Sequence, residues 1–523
     1  MVWNAFHILL ASGYLCALLA VGVVLWRKQQ DAGQFLNATG SLPLWVCIVA
    51  SIAANCGSLD VIVMVALGAQ YGMLAAHFYW IGAIPALIVV AFWLLPAYAR
   101  GRYPTILDFI AAHYGRRTWL AASLAMSTMM LLLAGVCLCA TAEVLTTFFG
   151  CSFLTGVLII APIVLFYTWA GGLRATVYTE LIHFGIVLAA VAPLVFLVVH
   201  SYGGVGPLLA AIPPERLHVW NQLPMVDPHA PMDKLGVVVG LGLILSFGYW
   251  STDFVLMQRA LAVKRGADVR WVPLSLAGAK LVFAGLIVLP GVAAPLVLHD
   301  TMPATWNNTL SEMMLHFYSP AWIVVGLMGL AASLFATFAN NVSGFTSAWM
   351  QGVYRPWIRR DGSERHYLIA GRTTSALAVV LSIGSAYVAL QYQSLMEYMQ
   401  MIFASFNAPI FALVVLAVLL PGRVRRGGLG GFVLGFVSAV AHKVLVEAGA
   451  LHYGSRMSRN FYTAILAFTV TIVATLAIAR LRGQDVEPSE DMPAAMVRTI
   501  PMRTVVAALV ILAVTVWFNV YFW

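Results

Sequence analysis

A chain of 523 residues, 62% of them apolar and only 9% charged, with a mean hydropathy of +0.90, falls outside the range of soluble domains and reads as an all-α polytopic membrane protein. The net charge of +9 lies in the loops between apolar stretches, where membrane topology accounts for it, so it gives no support to a nucleic-acid partner. The longest polar stretches, 201–234, 355–372 and 480–503, are each too short to fold alone as a catalytic or sensory module, which leaves any chemistry among the helices.

Apolar periodicity predicts fourteen membrane spans, near 5–26, 44–70, 74–98, 119–147, 152–169, 176–200, 235–258, 271–298, 319–349, 373–392, 398–420, 428–448, 461–480 and 503–521. The first lacks a positive leading segment and a small-residue cleavage site, so it is expected to be retained. With the N-terminus outside, 23 of the 29 basic residues fall in cytoplasmic loops, among them Arg116, Arg117, Arg355, Arg359 and Arg360. Arg216, Lys234, Arg456 and Arg459 fall outside, and Lys280 and Lys443 lie near or within spans. That asymmetry supports an N-out, C-out arrangement and the even span count. The six cysteines show no metal-ligand spacing and are read as packing residues.

Spans two and seven share an oddity. The run Asn55-Cys56-Gly57-Ser58-Leu59-Asp60 interrupts span two, and Ser246-Phe247-Gly248-Tyr249-Trp250-Ser251-Thr252-Asp253 interrupts span seven. Lying five spans apart, they fit an inverted repeat of two five-helix units whose unwound backbone meets at mid-membrane; ordinary glycine kinks are the bland alternative. The expected organisation is 1–43 as a first span and loop, 44–200 as one repeat, 201–234 as an extracytoplasmic loop, 235–421 as the second repeat, and 422–523 as three peripheral spans.

A carboxylate within a span costs at least a few kcal/mol unless it meets a cation, a proton donor or a cavity. Asp60 is therefore either a substrate or coupling-ion contact, or one member of a buried pair with a partner such as Lys280. Glu180 opens span six after the Gly171-Gly172 turn and serves either a cytoplasmic gate or the positive end of a helix. Glu143 in span four is expected near the outer surface, within reach of water. In span nine Ser333, Thr337, Asn340, Asn341, Ser343 and Thr346 recur three or four residues apart. One polar face of that kind suits a cation or close helix packing. The aromatic run His77 to Trp80 is most simply an interfacial belt.

The segment FGYWSTDFVLMQRALAVK, with Gln258 and Arg259, resembles the most specific signature of the sodium/solute symporters, a family with the leucine-transporter inverted-repeat fold. YTWAGGLRATVYTELIHF is similar to the second signature, with Thr179 and Glu180 where an Asp is usual, and IAANCGSLDVIVMVALGAQYG fits the broken first core helix. The likeness extends over about residues 35–420. It implies cation-coupled solute transport by alternating access in the inner membrane, with sodium the coupling ion and no other cofactor. Sodium would lie between spans two and nine, near the carbonyls of Ala53 and Cys56 and the groups at Ser333, Ala336 and Thr337. Ala336 stands where the family usually has a hydroxyl, so a proton acting through Asp60 is the alternative driving ion. Asp60, Ser246, Tyr249 and Trp250 match substrate positions, and Glu180, Asp253, Gln258 and Arg259 are expected to gate or couple. An unpaired negative charge at Asp60 favours a solute with an amino or other cationic group. The rivals, a membrane enzyme or a transport-like sensor, lack respectively a catalytic cluster and a signalling domain.

Overall fold

In the computed structural model the described residues are 42–56, 59–100, 103, 105–264, 268–420, 424–483 and 501–523, so the first expected span lies outside them. Among the described residues the chain is helical, with a single isolated bridge between Leu42 and Val263. Long apolar helices are the expected outcome, because a helix satisfies its backbone polar groups within one segment and hydrocarbon offers them no other partner. Ten of these helices are long and apolar enough to cross a membrane, or eleven if one bent pair counts as a span. Every expected span from residue 44 onward overlaps one of these or a shorter apolar helix.

In chain order the elements are α1 (Leu44–Cys56), α2 (Leu59–Ala76), α3 (Phe78–Leu94), α4 (Arg116–Phe149) and α5 (Phe153–Ser201). The bent pair follows as α6 (Gly236–Thr252) and α7 (Phe254–Leu261), and then come α8 (Trp271–Leu298), α9 (Pro320–Ile358) and α10 (Glu364–Ala389). The last four are α11 (Leu395–Leu419), α12 (Arg425–Glu447), α13 (Arg456–Leu481) and α14 (Met502–Tyr521). One expectation is corrected here: the Gly171-Gly172 pair does not break the chain into two helices, because helical backbone continues from Phe153 to Ser201. Glu180 is accordingly inside a helix rather than at its first turn.

Helix α9 forms the middle of the bundle, packed along α4 and α5, while α1 packs on α8 and α2 on the second half of α8. The α2–α8 crossing is close because it is made of glycines. A Cβ on Gly291 would stand 2.3 Å from the Val65 carbonyl oxygen, and one on Gly68 would stand 2.7 Å from that of Val288. The ends of the bundle differ in charge: Arg116 donates to the Pro356 carbonyl at 2.8 Å at the arginine-rich end. At the other end Arg216, from the loop after α5, donates to the carbonyls of Gly68 and Ala69 at 3.1 and 2.6 Å. It thereby meets carbonyls near Tyr71, where the α-helical part of α2 gives way to a tighter turn over Gly72–Ala76.

Candidate functional site

The two segments expected to be interrupted flank one cavity. Helix α1 is described to Cys56 and α2 from Leu59, so the expected break between them lies outside the described residues. Helices α6 and α7 meet at 48°, the bend falling where Asp253 adopts extended backbone. The Asp253 carboxylate closes that break by accepting from Val255 N and Leu256 N at 3.0 and 3.2 Å, an N-cap for α7. Three walls of the cavity contain widened, π-type turns, Phe78–Ala83, Gly236–Ser246 and Phe403–Asn407. Such turns often mark functional sites, since the extra residue re-aims its neighbours. Here they bring Tyr79, Ser246 and Phe403 to a cavity of about 150 Å³.

Asp60, Ser246, Tyr249, Trp250 and Asp253 all line that cavity, as do Asn55, Thr337, Lys280, Asn340, Asn341 and Gln400. The rest of the lining is soft and apolar, including Met64, Met130, Met396, Met399 and Phe403. Asp60 carries a compensated charge. Its Oδ2 accepts from Lys280 Nζ at 2.7 Å and from the Tyr79 hydroxyl at 2.6 Å. Lys280 Nζ also donates to the Asn55 carbonyl at 2.6 Å and sits 4.6 Å from the centre of the Tyr79 ring. Asp60 keeps 19% of its side-chain surface exposed and Lys280 keeps 3%, so the acid faces the cavity and the amine is hidden behind it. The aromatic run from His77 to Trp80 is buried rather than interfacial, and Tyr79 belongs to the site.

The remaining expected residues separate into two groups. The Thr337 hydroxyl accepts from Leu59 N at 3.3 Å, which puts α9 against the start of α2. Ala53, Cys56 and Ala336 are buried in α1 and α9 beside the cavity rather than on its lining; Ser333 has no described side chain. Toward the arginine-rich end, Glu180, Arg259 and Asn340 form a buried triad. Arg259 donates through Nη2 to Glu180 Oε1 and through Nε to Oε2 at 3.1 Å. Asn340 accepts from Arg259 at 3.0 Å and donates to Glu180 at 2.8 Å. The three residues come from α5, α7 and α9. Gln258 is half-buried. Glu143 of α4 is only 8% exposed, so the solvated position expected from the sequence is corrected.

Lys280 and Gln400 are polar residues in apolar helices, the signal that singled out Asp60, and sequence reasoning gave Lys280 only a partner's role and Gln400 none. Among the described residues no group of three His, Cys, Asp or Glu stands ready for a metal, and the described cysteines are free.

A bent helix and a cavity with polar groups inside an apolar bundle are the architecture of a secondary transporter. The sodium:solute symporter family matches residues 35–435, and the chain belongs to that family. It is 25% identical to the sodium/glucose cotransporter 1 of Ovis aries over 91% of this chain and 78% of that protein. It is 23% identical to a sodium/glucose cotransporter of Vibrio parahaemolyticus over 89% of each. The fold is that of a Na+-coupled sialic acid symporter solved in a substrate-bound outward-open state, with a TM-score of 0.76, 16% identity, and coverage of 91% of this chain and 98% of that one. Family membership supports sodium-coupled transport of a small solute by a multi-pass membrane protein.

Proposed function

We propose that this chain is a sodium symporter of a compact, uncharged, hydrogen-bonding solute, held in the cavity between the two interrupted segments. The observation that carries the reading is the Asp60–Lys280 pair. The argument for a cationic solute requires an uncompensated charge on Asp60, and Lys280 supplies the compensation. A cation added there leaves the pocket with excess positive charge in a medium that penalises it. Proton coupling through Asp60 has the same weakness. An anionic solute fares no better, because Lys280 already donates to Asp60 and Asn55. What the wall offers is acceptors on Asp60 and Gln400, the Ser246 and Tyr249 hydroxyls, and the ring face of Trp250. These suit hydroxyl-bearing neutral solutes, in line with relatives named as sodium/glucose and sodium/myo-inositol cotransporters. The cavity volume is well below the roughly 300–1,000 Å³ of drug-sized pockets, which limits the solute's size.

Sodium would bind near the carbonyls of Ala53 and Cys56 and the Thr337 hydroxyl, with no side-chain oxygen from Ala336. In this reading the Glu180–Arg259–Asn340 triad closes the cytoplasmic side, Gln258 moves with it, and Asp253 holds the hinge. The protein sits in the inner membrane with its N-terminus outside, as the distribution of basic residues favours.

The test is uptake of labelled glucose and myo-inositol into proteoliposomes under an inward sodium gradient, with cationic and anionic solutes of similar size as comparators. The expected result is accumulation of a neutral polyhydroxylated solute that stops when potassium replaces sodium. Sodium-driven uptake confined to a cationic solute would overturn the reading.

A further inference from the structure

The arginine-rich end of the bundle gathers guanidinium groups that the described chain does not neutralise. Arg116 of α4 and Arg360, just past α9, donate to the same oxygen, the Pro356 carbonyl, at 2.8 and 2.9 Å. A shared acceptor holds the two cations within a few ångströms of each other. Arg425, at the start of α12, also reaches the start of α4: a Cβ on Gly115, the residue before Arg116, would stand 3.7 Å from its Nε and Nη2. Among the described residues no ion pair includes Arg116, Arg360 or Arg425, nor Arg117, Arg355 or Arg359 close by in the chain. Like charges at this spacing repel, and more strongly where the dielectric constant falls, unless an anion lies among them.

The arginines are held in place by their surroundings. The Arg116 guanidinium lies 4.4 Å from the centre of the Trp357 ring, and that of Arg355 lies 4.7 Å from the Tyr367 ring. Tyr367 is buried; its hydroxyl lies 2.9 and 2.8 Å from the carbonyls of Arg359 and Arg360 and accepts from Gly362 N at 3.0 Å. The loop after α9 is thus wrapped on one phenol, which fixes where both arginine side chains leave the backbone. A Cβ on Gly352 would stand 2.2 Å from Ser123 Oγ, so α4 and α9 are in close contact just inside this end. Beside the charges the surface is apolar: Trp357 and Ile358, the last residues of α9, are 41% and 60% exposed. Helix α9 is long and apolar enough to cross a membrane, so its end stands at the depth where headgroups meet acyl chains and where tryptophan collects. A soluble anion would use the guanidinium groups and leave Ile358 bare, whereas a lipid uses both.

We propose that Arg116, Arg360 and Trp357, with Arg425 beside them, form a binding site for the headgroup of an anionic phospholipid. The lipid phosphate lies between the Arg116 and Arg360 guanidinium groups, whose planar forks match phosphate oxygens, and its chains run along Ile358 and Trp357. The bound headgroup supplies the negative charge missing there and ties the start of α4 to the end of α9, the helix that carries Thr337 and Asn340.

The experiment is native mass spectrometry of the full-length chain, stripped of lipid in neutral detergent and titrated with phosphatidylglycerol or with phosphatidylcholine of the same chain length. Phosphatidylglycerol is expected to bind the wild type more tightly than phosphatidylcholine, and Arg116→Gln/Arg360→Gln should weaken that binding roughly 30-fold. Arg456→Gln/Arg459→Gln, an equal charge change at the arginine-poor end, should leave it unaltered. Trp357→Leu keeps every charge and removes the ring under Arg116; a loss of roughly threefold is expected, and this variant carries the test should the arginine variant fail to fold. Equal binding of the two lipids by the wild type, or unaltered phosphatidylglycerol affinity in Arg116→Gln/Arg360→Gln or in Trp357→Leu, overturns the site. An equal loss in both arginine pairs overturns it too, as a general effect of charge. Inorganic phosphate displacing the lipid at equal concentration would identify a soluble anion as the ligand and likewise overturn the proposal.

Discussion

Replacing Lys280 by Met tests the compensated pair directly. The change keeps the length of the side chain and removes the charge. The structure then leaves Asp60 with the Tyr79 hydroxyl alone, and the Asn55 carbonyl loses its donor. Deleting one partner of a buried ion pair costs about 3–5 kcal/mol. Asp60 retains 19% of its side-chain surface, so partial hydration puts the expected loss near the lower end, about 3 kcal/mol, or a factor of roughly 10² in the folding equilibrium. Asp60→Asn strands the ammonium of Lys280, which is only 3% exposed, and is expected to cost at least as much. The double variant Asp60→Asn/Lys280→Met leaves no orphan charge and should cost about 1 kcal/mol, which makes the coupling energy strongly favourable. Reversible unfolding in mild detergent, followed by intrinsic fluorescence for all four proteins, gives the complete cycle. If both single variants stay within about 1 kcal/mol of wild type, or the double variant is as unstable as their sum, the charges do not depend on one another and the neutral-cavity argument fails.

Two further outcomes follow from the geometry. Thr337→Ala removes a side-chain oxygen from the proposed sodium site, which already lacks one at Ala336, so the sodium concentration for half-maximal uptake should rise about tenfold, equivalent to about 1.4 kcal/mol, with maximal uptake little changed. Gly291→Ala puts a methyl group 2.3 Å from the Val65 carbonyl oxygen, backbone that cannot rotate away, and should destabilise the protein by about 1–3 kcal/mol in the same unfolding assay; Gly285→Ala, whose Cβ meets open space, is the control.

Much of the fold is legible in the sequence because each span is a composition signal. A run of apolar residues long enough to cross the membrane has few alternatives to a helix. The interruption ending at Asp253 is legible too, but its capping of the next helix is not: the sequence suggests gating or coupling, and the carboxylate instead accepts from Val255 N and Leu256 N. Pairings are harder to read. Lys280, 220 residues from Asp60, can be named as its candidate partner because few buried cations are on offer, but Arg259 lies 79 residues from Glu180 and no local pattern announces that pair. The Gly171-Gly172 pair misleads for a related reason, as glycine permits a turn without requiring one. Tyr79 is hidden by a prior: aromatic runs at helix ends usually face the interface, and only the widened turn at Phe78–Ala83 directs this one inward.

The same pairings suggest how ion binding is transmitted. Helix α7 is held at both ends, by the Asp253 cap at its first turn and by Arg259 at its last. It cannot tilt without separating Arg259 from Glu180, which exposes a buried pair and costs several kcal/mol unless the partners are hydrated as they part. Asn340, the third member, sits three residues from Thr337 on α9, so the two lie on one helix face about a turn apart. Asn341, four residues from Thr337, donates to its carbonyl at 3.1 Å and fixes the backbone between them. In the proposed reading, a sodium ion drawing on the Thr337 hydroxyl would pull on the helix that completes the triad. Shortening the Asn340 side chain to Ala should weaken the link while leaving the Thr337 hydroxyl in place, although Asn340 also borders the solute cavity. Sodium would then still bind while its ability to stimulate solute uptake declined. If sodium stimulation of uptake in that variant matched wild type, the connection through α9 would be refuted even with both sites intact.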